Sequence, residues 1–540
     1  MSGEVGLEPG AARRAALEAA RRHPVEPTAA IEYRSQGRLL IIGEAAAAID
    51  CARQLASELD CHVLARGSTD TLDTLPSALF IGRRAVGVTG YLGEFGVTLE
   101  NDGGPVYVAE LLGLAPARFD LILDLDDPPS LGFEKQPLGY YAPAGDDERL
   151  QAALTELVQL RGEFEKPKFF DYDPAICAHG NSQLTGCTRC LDVCPTGAIG
   201  SLVETVAIDP YYCQGGGSCA TACPTGAITY AYPRPADTLD RLRHMLRAFR
   251  EAGGEAPRLL FHDGEAGQRW LDARIDELPR SVLPVLVEEI GSVGLEVWLA
   301  ALAYGARRVV LLDTPEVPAS VRRELQAQLR FAATLLAGMG YPAGALALVP
   351  AEREPALPEP AMPDLRPATF AGSNSKRTVL FQALDALHAQ APERPEVTDL
   401  PPGAPLGRIE VDREACTLCM ACVSVCPAGA LAAGDETPRL GFVEANCVQC
   451  GLCETACPES AITLQPRLLH DREQRLRTRT LHEEAPFHCV ACGTPFATRS
   501  VIDRMTQRLE GHWMFQDPQA RRRLQMCGDC RVRDMLADEL

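Results

Sequence analysis

The sequence lacks the features that mark membrane-spanning and secreted proteins. No run of about 18 apolar residues appears, so no segment is predicted to cross a membrane. The N-terminal stretch MSGEVGLEPGAARRAALEAARR has no apolar core and no small-residue cleavage site, so no signal peptide is predicted. We therefore expect a cytoplasmic chain, in which closely spaced cysteines bind metal rather than form disulfides.

Basic charge is also scarce. The 540-residue chain has 52 basic against 73 acidic residues, a net charge of −21. This balance argues against nucleic acid as a partner and suits docking to basic surfaces of redox proteins. The 10 histidines are scattered, and no Ser/His/Asp set, carboxylate pair or phosphate loop stands out. We expect an electron carrier or an oxidoreductase subunit rather than a self-sufficient enzyme.

Cysteine is abundant and unevenly distributed. Of 21 cysteines, two lie in residues 1–165, seven in 166–232, none in 233–407 and twelve in 408–540. With the length, this predicts a multidomain α/β plus α+β protein. The predicted units are a degenerate Rossmann-like domain (1–165), a ferredoxin-like module (166–232), a central α/β domain (233–350), a proline-rich linker with a short helix near 376–391 (351–407), a two-cluster ferredoxin domain (408–468) and a helical segment with a zinc-ribbon-like metal site (469–540).

The second cysteine-rich module carries two complete CxxCxxCxxxCP runs. Three thiolates on a tight loop reach different irons of a cubane, and the fourth, before a proline, binds the other cluster. One [4Fe-4S] cluster is predicted on Cys416, Cys419, Cys422 and Cys457, and another on Cys447, Cys450, Cys453 and Cys426. Zinc is the alternative, although four cysteines would suffice for it. The flanking segments RIEV and AITL predict a small antiparallel sheet. This module resembles the bacterial two-cluster ferredoxin.

The first module repeats CPTGAI at 194–199 and 223–228 but departs from the pattern. Leu184 stands where the leading cysteine is expected, and Cys177, 10 residues before Cys187, is predicted to loop back and replace it. A [4Fe-4S] cluster is thus predicted on Cys177, Cys187, Cys190 and Cys223.

The other site of this module has Cys194, Cys213 and Cys219, with Gly216 in place of the central cysteine. Ferredoxins that lack this cysteine commonly hold a [3Fe-4S] cluster. An open-site [4Fe-4S] cluster, completed by water, a distant residue or a substrate, is the second interpretation, and a site without any cluster is the third. His179, beside Cys177, is a candidate distant ligand.

Two further CxxC pairs follow the second module. Cys489 and Cys492 lie in FHCVACG, and Cys527 and Cys530 lie in CGDC, 35 residues after Cys492. Four thiolates on two turns suit a structural zinc ion. A mononuclear iron and free thiols are the alternatives. The intervening SVIDRMTQRLEGHWMF is helix-like.

The N-terminal region opens with a strand, Arg38–Ile42, followed by Gly43, a helix and a second strand, His62–Ala65. This order is typical of a Rossmann unit, whose dinucleotide fingerprint is reduced here to Gly43, Ala45 and Ala48. The stretch GYLGEFGVTLE, 90–100, predicts a hairpin. Together with the first module, these features resemble the flavin-binding chain of heterodisulfide reductases. The resemblance implies FAD, which the altered glycines disfavour; a scaffold without nucleotide is the alternative.

The central region alternates apolar strands with helices that end at Gly305 and Gly340. The predicted strands are LLF, VLPVLV, RRVVLLD and ALALV. The stretch EIGSVGLEVWLAALAYGARRVVLLD resembles the electron-transferring delta subunit of methyl-viologen-reducing hydrogenases. That resemblance implies a [2Fe-2S] cluster, but this region has no cysteine.

The predicted function is electron transfer through iron–sulfur clusters between redox partner proteins. Two alternatives come from other classes. One is an oxidoreductase subunit of heterodisulfide-reductase type that binds substrate at an open iron or at a flavin. The other is a maturation or accessory protein for a molybdenum enzyme such as formate dehydrogenase.

Overall fold

The computed structural model describes residues 10–25, 27, 29–67, 77–82, 86–100, 103–352, 362–434 and 437–538. Residues 1–9, which entered the signal-peptide prediction, and 353–361 of the predicted linker lie outside these ranges. Within the described ranges, no helix has both the length and the hydropathy needed to span a membrane.

A five-stranded sheet forms the N-terminal region, in the order β4-β3-β2-β8-β9 with all neighbours parallel. Leu39–Ile42 are buried, as expected for a strand covered on both faces. The predicted hairpin pairs β5 with β6 around Gly90–Phe95. The elements are α1 (Ala11–Arg21), β1 (Ala30–Ser35), β2 (Arg38–Glu44), α2 (Ala45–Leu55), β3 (Asp60–Arg66), β4 (Ala78–Phe80), β5 (Val86–Thr89), β6 (Gly96–Leu99), β7 (Val106–Tyr107), α3 (Val108–Leu111), β8 (Leu121–Asp124), β9 (Tyr140–Tyr141), α4 (Asp147–Gln159) and β10 (Gly162–Pro167).

The first cysteine-rich module consists of short elements joined by loops. Its outer strands β11 and β16 pair antiparallel, as do β14 and β15. The elements are β11 (Phe170–Tyr172), β12 (Gly180–Asn181), β13 (Leu184–Thr185), α5 (Arg189–Asp192), β14 (Ile199–Ser201), β15 (Val206–Ile208), α6 (Ser218–Ala222) and β16 (Ile228–Tyr230).

The central region is a parallel four-stranded sheet in the order β18-β17-β19-β20, and all four predicted strands are present. Helices α9 and α10 end just before Gly305 and Gly340, whose φ angles of +96° and +76° favour glycine. The elements are α7 (Pro235–Glu251), β17 (Arg258–His262), α8 (Ala266–Arg274), β18 (Val282–Leu286), α9 (Leu295–Ala303), β19 (Arg308–Asp313), α10 (Ala319–Gly338), β20 (Leu346–Pro350) and α11 (Lys376–His388).

The core of the central region extends well beyond residues 233–350. It includes Ala16 of α1 and the buried face of α11, where Val379 and Ala383 are fully buried. Met362 and Leu406, from either side of α11, belong to the same core. Residues 362–406 of the stretch predicted as a linker therefore pack as part of the central region, because apolar side chains of α11 cover α9 rather than face water.

The second module and the C-terminal segment complete the chain. Strand β22 pairs antiparallel with β25, as the segments RIEV and AITL predicted. The predicted helix after Cys492 ends at Leu509, earlier than expected. The elements are β21 (Val397–Asp399), β22 (Gly407–Val411), α12 (Ala421–Ser424), β23 (Leu431–Ala433), β24 (Arg439–Phe442), α13 (Leu452–Thr455), β25 (Ile462–Leu469), α14 (Arg472–Leu476), β26 (Arg479–Glu483), β27 (Pro486–His488), β28 (Pro495–Thr498), α15 (Arg499–Leu509), α16 (Pro518–Arg523) and α17 (Gly528–Asp538).

Candidate metal centres

The first module brings Cys177, Cys187, Cys190 and Cys223 near one another. Burial raises the pKa of Cys190 to about 12, and the nearby Cys223, Cys187 and Cys177 thiols add to this shift. Thiols that disfavour each other's ionisation in a buried place need a positively charged group to become thiolates together. An iron–sulfur cluster supplies that charge, so this thiol set fits such a group.

Cys194, Cys213 and Cys219 form a second group in the same module. Burial raises the pKa of Cys219 well above its usual value, and Cys213 and Cys194 contribute further. The loop between them is held by Tyr230, whose hydroxyl donates to the Gly215 carbonyl at 2.7 Å.

The three glycines of this loop differ in what they require. Gly215 and Gly217 have φ angles of +75° and +70°, and a Cβ on Gly217 would lie 2.3 Å from Cα of Ser292. Gly216 has no left-handed φ, and a Cβ there would lie 3.4 Å from Cγ of Pro195, an ordinary contact. The backbone therefore needs glycine at positions 215 and 217, but position 216 has room for a side chain.

Lys166 lies beside this group and was not singled out from the sequence. Its Nζ donates to the carbonyls of Cys213 at 2.6 Å and Tyr211 at 3.0 Å, and it lies 4.9 Å from the centre of the Tyr33 ring. Burial lowers the pKa of Lys166 to about 8. The lysine places a positive charge next to the loop that presents Cys213.

His179, the candidate distant ligand, has both ring nitrogens engaged. Nδ1 lies 2.9 Å from the carbonyl oxygen of Cys187, and Nε2 lies 2.7 Å from Oγ of Ser201. The ring is buried, with 3% of its surface exposed. It therefore positions the Cys187 loop and leaves no nitrogen free for iron.

In the second module, Cys416, Cys419, Cys422 and Cys457 lie together. Burial raises the pKa of Cys422 to about 12, with contributions from Cys416, Cys419 and Cys457. Cys419 is exposed, so this group reaches the protein surface.

The other group of the second module contains Cys426, Cys447, Cys450 and Cys453. Burial raises the pKa of Cys453, and Cys447, Cys450 and Cys426 add to the shift. Each group also receives a backbone hydrogen bond on its crossing cysteine: Ala430 N donates to Cys426 Sγ and Ala461 N donates to Cys457 Sγ, both at 3.3 Å.

The two modules contact each other directly through these middle groups. A Cβ on Gly186, next to Cys187, would lie 2.7 Å from Cγ of Leu452, which lies between Cys450 and Cys453. Burial raises the pKa of Cys450 to about 11, and after Cys447 and Cys426 the Cys187 thiol of the other module also contributes. Cys187 and Cys450 therefore lie near each other across the interface.

Arg377, at the start of α11, links both modules. Its guanidinium donates to the Cys447 and Ala445 carbonyls at 3.0 and 2.6 Å, to Pro405 O at 3.1 Å and to Pro224 O at 3.4 Å. Burial lowers its pKa to about 10, so it remains charged at neutral pH. One side chain thus satisfies carbonyls that follow Cys223 in one module and flank Cys447 in the other.

The neighbouring Lys376 contacts both the first module and the central region. Its Nζ donates to the carbonyls of Ala220, at 2.8 Å, and of Thr221, and lies 3.8 Å from Glu296 of α9. Neither basic residue was predicted, because two cations in a proline-rich stretch carry no motif.

The four C-terminal thiols come much closer together than those of the modules. Ligand atoms of Cys489, Cys492, Cys527 and Cys530 all lie within 4.8 Å of one another, and in the described part of the chain no other set of three or more His, Cys, Asp or Glu residues does so. A single metal ion with four thiolates at about 2.3 Å needs such close packing. This site therefore suits one metal ion, and the module thiols are spaced for something larger.

Local backbone groups favour ionisation of Cys489. Burial opposes it, but hydrogen bonds from the backbone of Cys527, Cys492 and Ala491 hold the pKa of Cys489 at about 6. The segment is attached to the second module by Thr498, whose hydroxyl donates to the Thr417 carbonyl at 2.9 Å. Thr417 lies between Cys416 and Cys419, so the C-terminal segment covers part of that thiol group.

The residues predicted to bind a nucleotide, Gly43, Ala45 and Ala48, lie at an edge of the N-terminal sheet where other side chains occupy the space. Ala45 and Ala48 are buried, and a Cβ on Gly43 would lie 2.8 Å from Cβ of Leu125. Beside them, the buried Asp124 accepts hydrogen bonds from Tyr140 Oη at 2.6 Å and from Ser130 N at 2.7 Å. The chain's own side chains thus pack where a pyrophosphate would approach Gly43.

Comparison with protein families supports the chemistry of both modules. Residues 185–227 and residues 415–462 each match a family model described as a 4Fe-4S dicluster domain. The search among curated proteins returned no match to the chain. Both matched segments are therefore ferredoxin-type 4Fe-4S domains, and their cysteines support the binding of multiple 4Fe-4S clusters. Such domains serve electron transport, which implies redox partners.

Proposed function

We propose that the chain conducts electrons along one line of four iron–sulfur sites. The order is the Cys416 group, the Cys447 group, the Cys187 group and, at the far end, the three-thiolate group at Gly216. Bound clusters would accept and pass on single electrons, and the protein sets their order and surroundings.

The observation that carries this proposal is the contact between the modules. Gly186 and Leu452 pack together, and Cys187 acts on the pKa of Cys450 across the interface. Within each module, neighbouring groups influence each other in the same manner: Cys190 acts on Cys219, and Cys422 acts on Cys453. These contacts connect the four groups one after another, which supports the arrangement of a line.

The ligand sets proposed for the line are those of the sequence analysis. Three [4Fe-4S] clusters belong on the complete groups, and a [3Fe-4S] or open-site [4Fe-4S] cluster on the three thiolates. The last site lies under the central region, since Thr221 Oγ1 donates to the Gly291 carbonyl at 2.7 Å. The first site reaches the surface at Cys419. Electrons would therefore be exchanged with a partner protein most directly near Cys419.

The remaining regions support this line. The N-terminal sheet follows the strand order of a Rossmann-like domain, and we assign it a scaffold role without FAD because Leu125 fills the edge at Gly43. The C-terminal thiols would hold zinc and keep the segment on the second module. All 21 cysteines are free of disulfides, which suits cytoplasmic redox partners.

A flash experiment tests the order of the sites. A ruthenium photosensitiser is attached to Glu414→Cys, an exposed position near Cys416, in the anaerobically purified protein. After the flash, we expect the second module to be reduced first and the three-thiolate site last. Electron paramagnetic resonance of freeze-quenched samples measures the order of reduction.

The matched variants carry Glu414→Cys with either Cys450→Ser or Cys61→Ser. Cys450→Ser should stop the electron before the first module, whereas Cys61→Ser, outside both modules, should leave arrival unchanged. Arrival at the three-thiolate site at the same rate in Cys450→Ser would overturn the line.

A further inference from the structure

An acidic cavity of about 330 Å³ lies at the carboxyl edge of the central sheet. Asp263 and Thr314 line it directly after β17 and β19, which are neighbours in the sheet. From β17 the chain turns to β18 on one side, and from β18 it crosses to β19 on the other. In parallel sheets, ligands bind at such a change of direction.

The charge of the cavity is strongly one-sided. Its lining contains six carboxylate side chains and one lysine, and Lys135 forms an ion pair with Glu289. Glu134 accepts hydrogen bonds from N and Oγ of Ser320 at 2.9 and 2.6 Å. The Glu288 side chain is exposed, and among the described residues no donor lies within bonding distance of its carboxylate; partial burial together with Glu289 raises its pKa.

A second, independent observation also points to a ligand. Thr314 is 2% exposed, and its hydroxyl is buried with no hydrogen-bond partner in the described part of the chain. Leaving a buried hydroxyl unsatisfied costs about 1–3 kcal/mol, so a hydroxyl without a partner in the chain is expected to bond to a water molecule or a ligand.

The spacing of the carboxylates identifies the class of ligand. In the described part of the chain, no three of them bring their oxygens within 4.8 Å of one another, as a bare metal ion requires. A cavity at the lower end of the size range for small molecules, with separated carboxylates, suits a cation whose charges are spread along a chain. We propose that this cavity binds a small organic cation bearing ammonium groups, of the alkyl diamine class, through Glu288, Glu289 and Thr314.

The cavity is also connected to the three-thiolate site. Gly291 and Ser292 follow Glu289 closely in the chain, and a Cβ on Gly291 would lie 2.5 Å from the Gly216 carbonyl oxygen. Glu288 and Cys213 both act on the Tyr230 hydroxyl, which holds Gly215. A bound dication should therefore be felt at the far end of the cluster line, although binding itself does not depend on electron transfer.

Calorimetric titration of the cluster-loaded full chain with putrescine, at physiological salt, tests the proposal. We expect one saturable site, no binding of the neutral analogue butanediol, and roughly tenfold weaker binding for Glu288→Gln, as for a lost charged hydrogen bond. Thr314→Val, which keeps the side-chain shape, should also weaken binding. Glu277→Gln, an exposed carboxylate outside the cavity, should bind like the unaltered protein.

Three results would overturn the proposal. These are absence of putrescine binding to the unaltered protein, equal weakening by Glu277→Gln and Glu288→Gln, and displacement of putrescine by Mg²⁺ at equal concentration. Circular dichroism of each variant separates lost binding from lost folding. If Glu288→Gln does not fold, Thr314→Val decides the question.

Discussion

The two ferredoxin-type modules share a repeat but differ in the number of cysteine ligands and in how far their thiol groups are covered by the protein. The second has two full cysteine runs and reaches the surface at Cys419. The first has Gly216 in one run, and its incomplete group lies beneath Ser292 and beside the half-buried Lys166. The group at Gly216, which lacks one thiol, is therefore covered by other parts of the protein. The Cys416 group, which reaches the surface, has all four thiols.

The modules also differ next to their crossing cysteines. In the first, the hydroxyls of Thr196 and Thr225 lie 3.5 Å from Sγ of Cys194 and Cys223. In the second, Ala428 and Glu459 occupy the equivalent positions. Since hydrogen bonds to sulfur raise cluster potentials, the same fold can hold clusters of different potential.

The largest effect is expected from removing a middle ligand. Cys450→Ser should lower the iron content by about four atoms per chain and make the second module more sensitive to protease, because the cluster serves as part of its core. Iron analysis and limited proteolysis of anaerobically purified protein measure this. Cys61→Ser is the control and should retain all iron. An intact second module without its iron would contradict the expectation.

Separating the modules should be the next largest effect. Arg377→Met leaves several buried carbonyls without a donor and should cost about 3 kcal/mol, seen as a lower Tm. Magnetic coupling between reduced clusters of the two modules should weaken as well. Arg472→Met, an exposed arginine of α14, is the matched control. Equal Tm values for both variants would show that Arg377 does not hold the modules together.

The C-terminal metal should be separable from the clusters. Cys492→Ser should remove about one zinc per chain and expose the C-terminal segment to protease, while the iron content stays constant. Metal analysis by mass spectrometry follows both elements. Loss of iron with retention of zinc would place a cluster ligand in this segment.

Completing the first module tests the comparison most directly. Gly216→Cys has room beside Pro195 and should add about one iron and abolish the paramagnetic signal of an oxidised three-iron cluster. Gly217→Cys, which would clash with Ser292, should destabilise the loop instead. If Gly216→Cys leaves the signal unchanged but Cys416→Ser removes it, the signal comes from the second module.

The smallest effect is expected at the threonine hydroxyls. Thr225→Val should lower the midpoint potential of the Cys187 group by about 40 mV, the equivalent of a hydrogen bond of about 1 kcal/mol. Thr229→Val removes a hydroxyl that donates to the Gly226 carbonyl and should leave the potential unchanged. Redox titration measures the midpoint potential of both variants. Equal shifts for Thr225→Val and Thr229→Val would show that the hydrogen bond to Cys223 does not set the two modules apart.

The sequence was most informative where contacts are local. Cysteine spacing within a loop predicts which thiols meet, and continuous apolar runs such as Leu39–Ile42 predict buried parallel strands. The structure brings the same thiols together, and the family matches identify both modules. Which cluster each thiol group binds stays a prediction.

Contacts between segments that are far apart in the chain leave no recognisable pattern in the sequence. Arg377 reaches Cys447 across 70 positions of sequence, and Lys166 reaches Cys213 across 47. Proline content predicted a linker around α11, but prolines fix backbone angles without exposing the apolar residues between them, and Val379 is fully buried. The cavity near Thr314 likewise comes from three strand ends that only the sheet brings together.

Helix α11 has a consequence for the order in which the molecule is made. It is synthesised after the first module and the central strands, yet its buried face completes their core and its Arg377 needs the Cys447 carbonyl. The first module can thus fold during synthesis while the central core still lacks helix α11. Helix α11 packs onto this core only as the second module leaves the ribosome. The first module should therefore acquire its iron before the second module covers Cys187. Nascent chains arrested on the ribosome after residue 375 should therefore already hold iron in their first module.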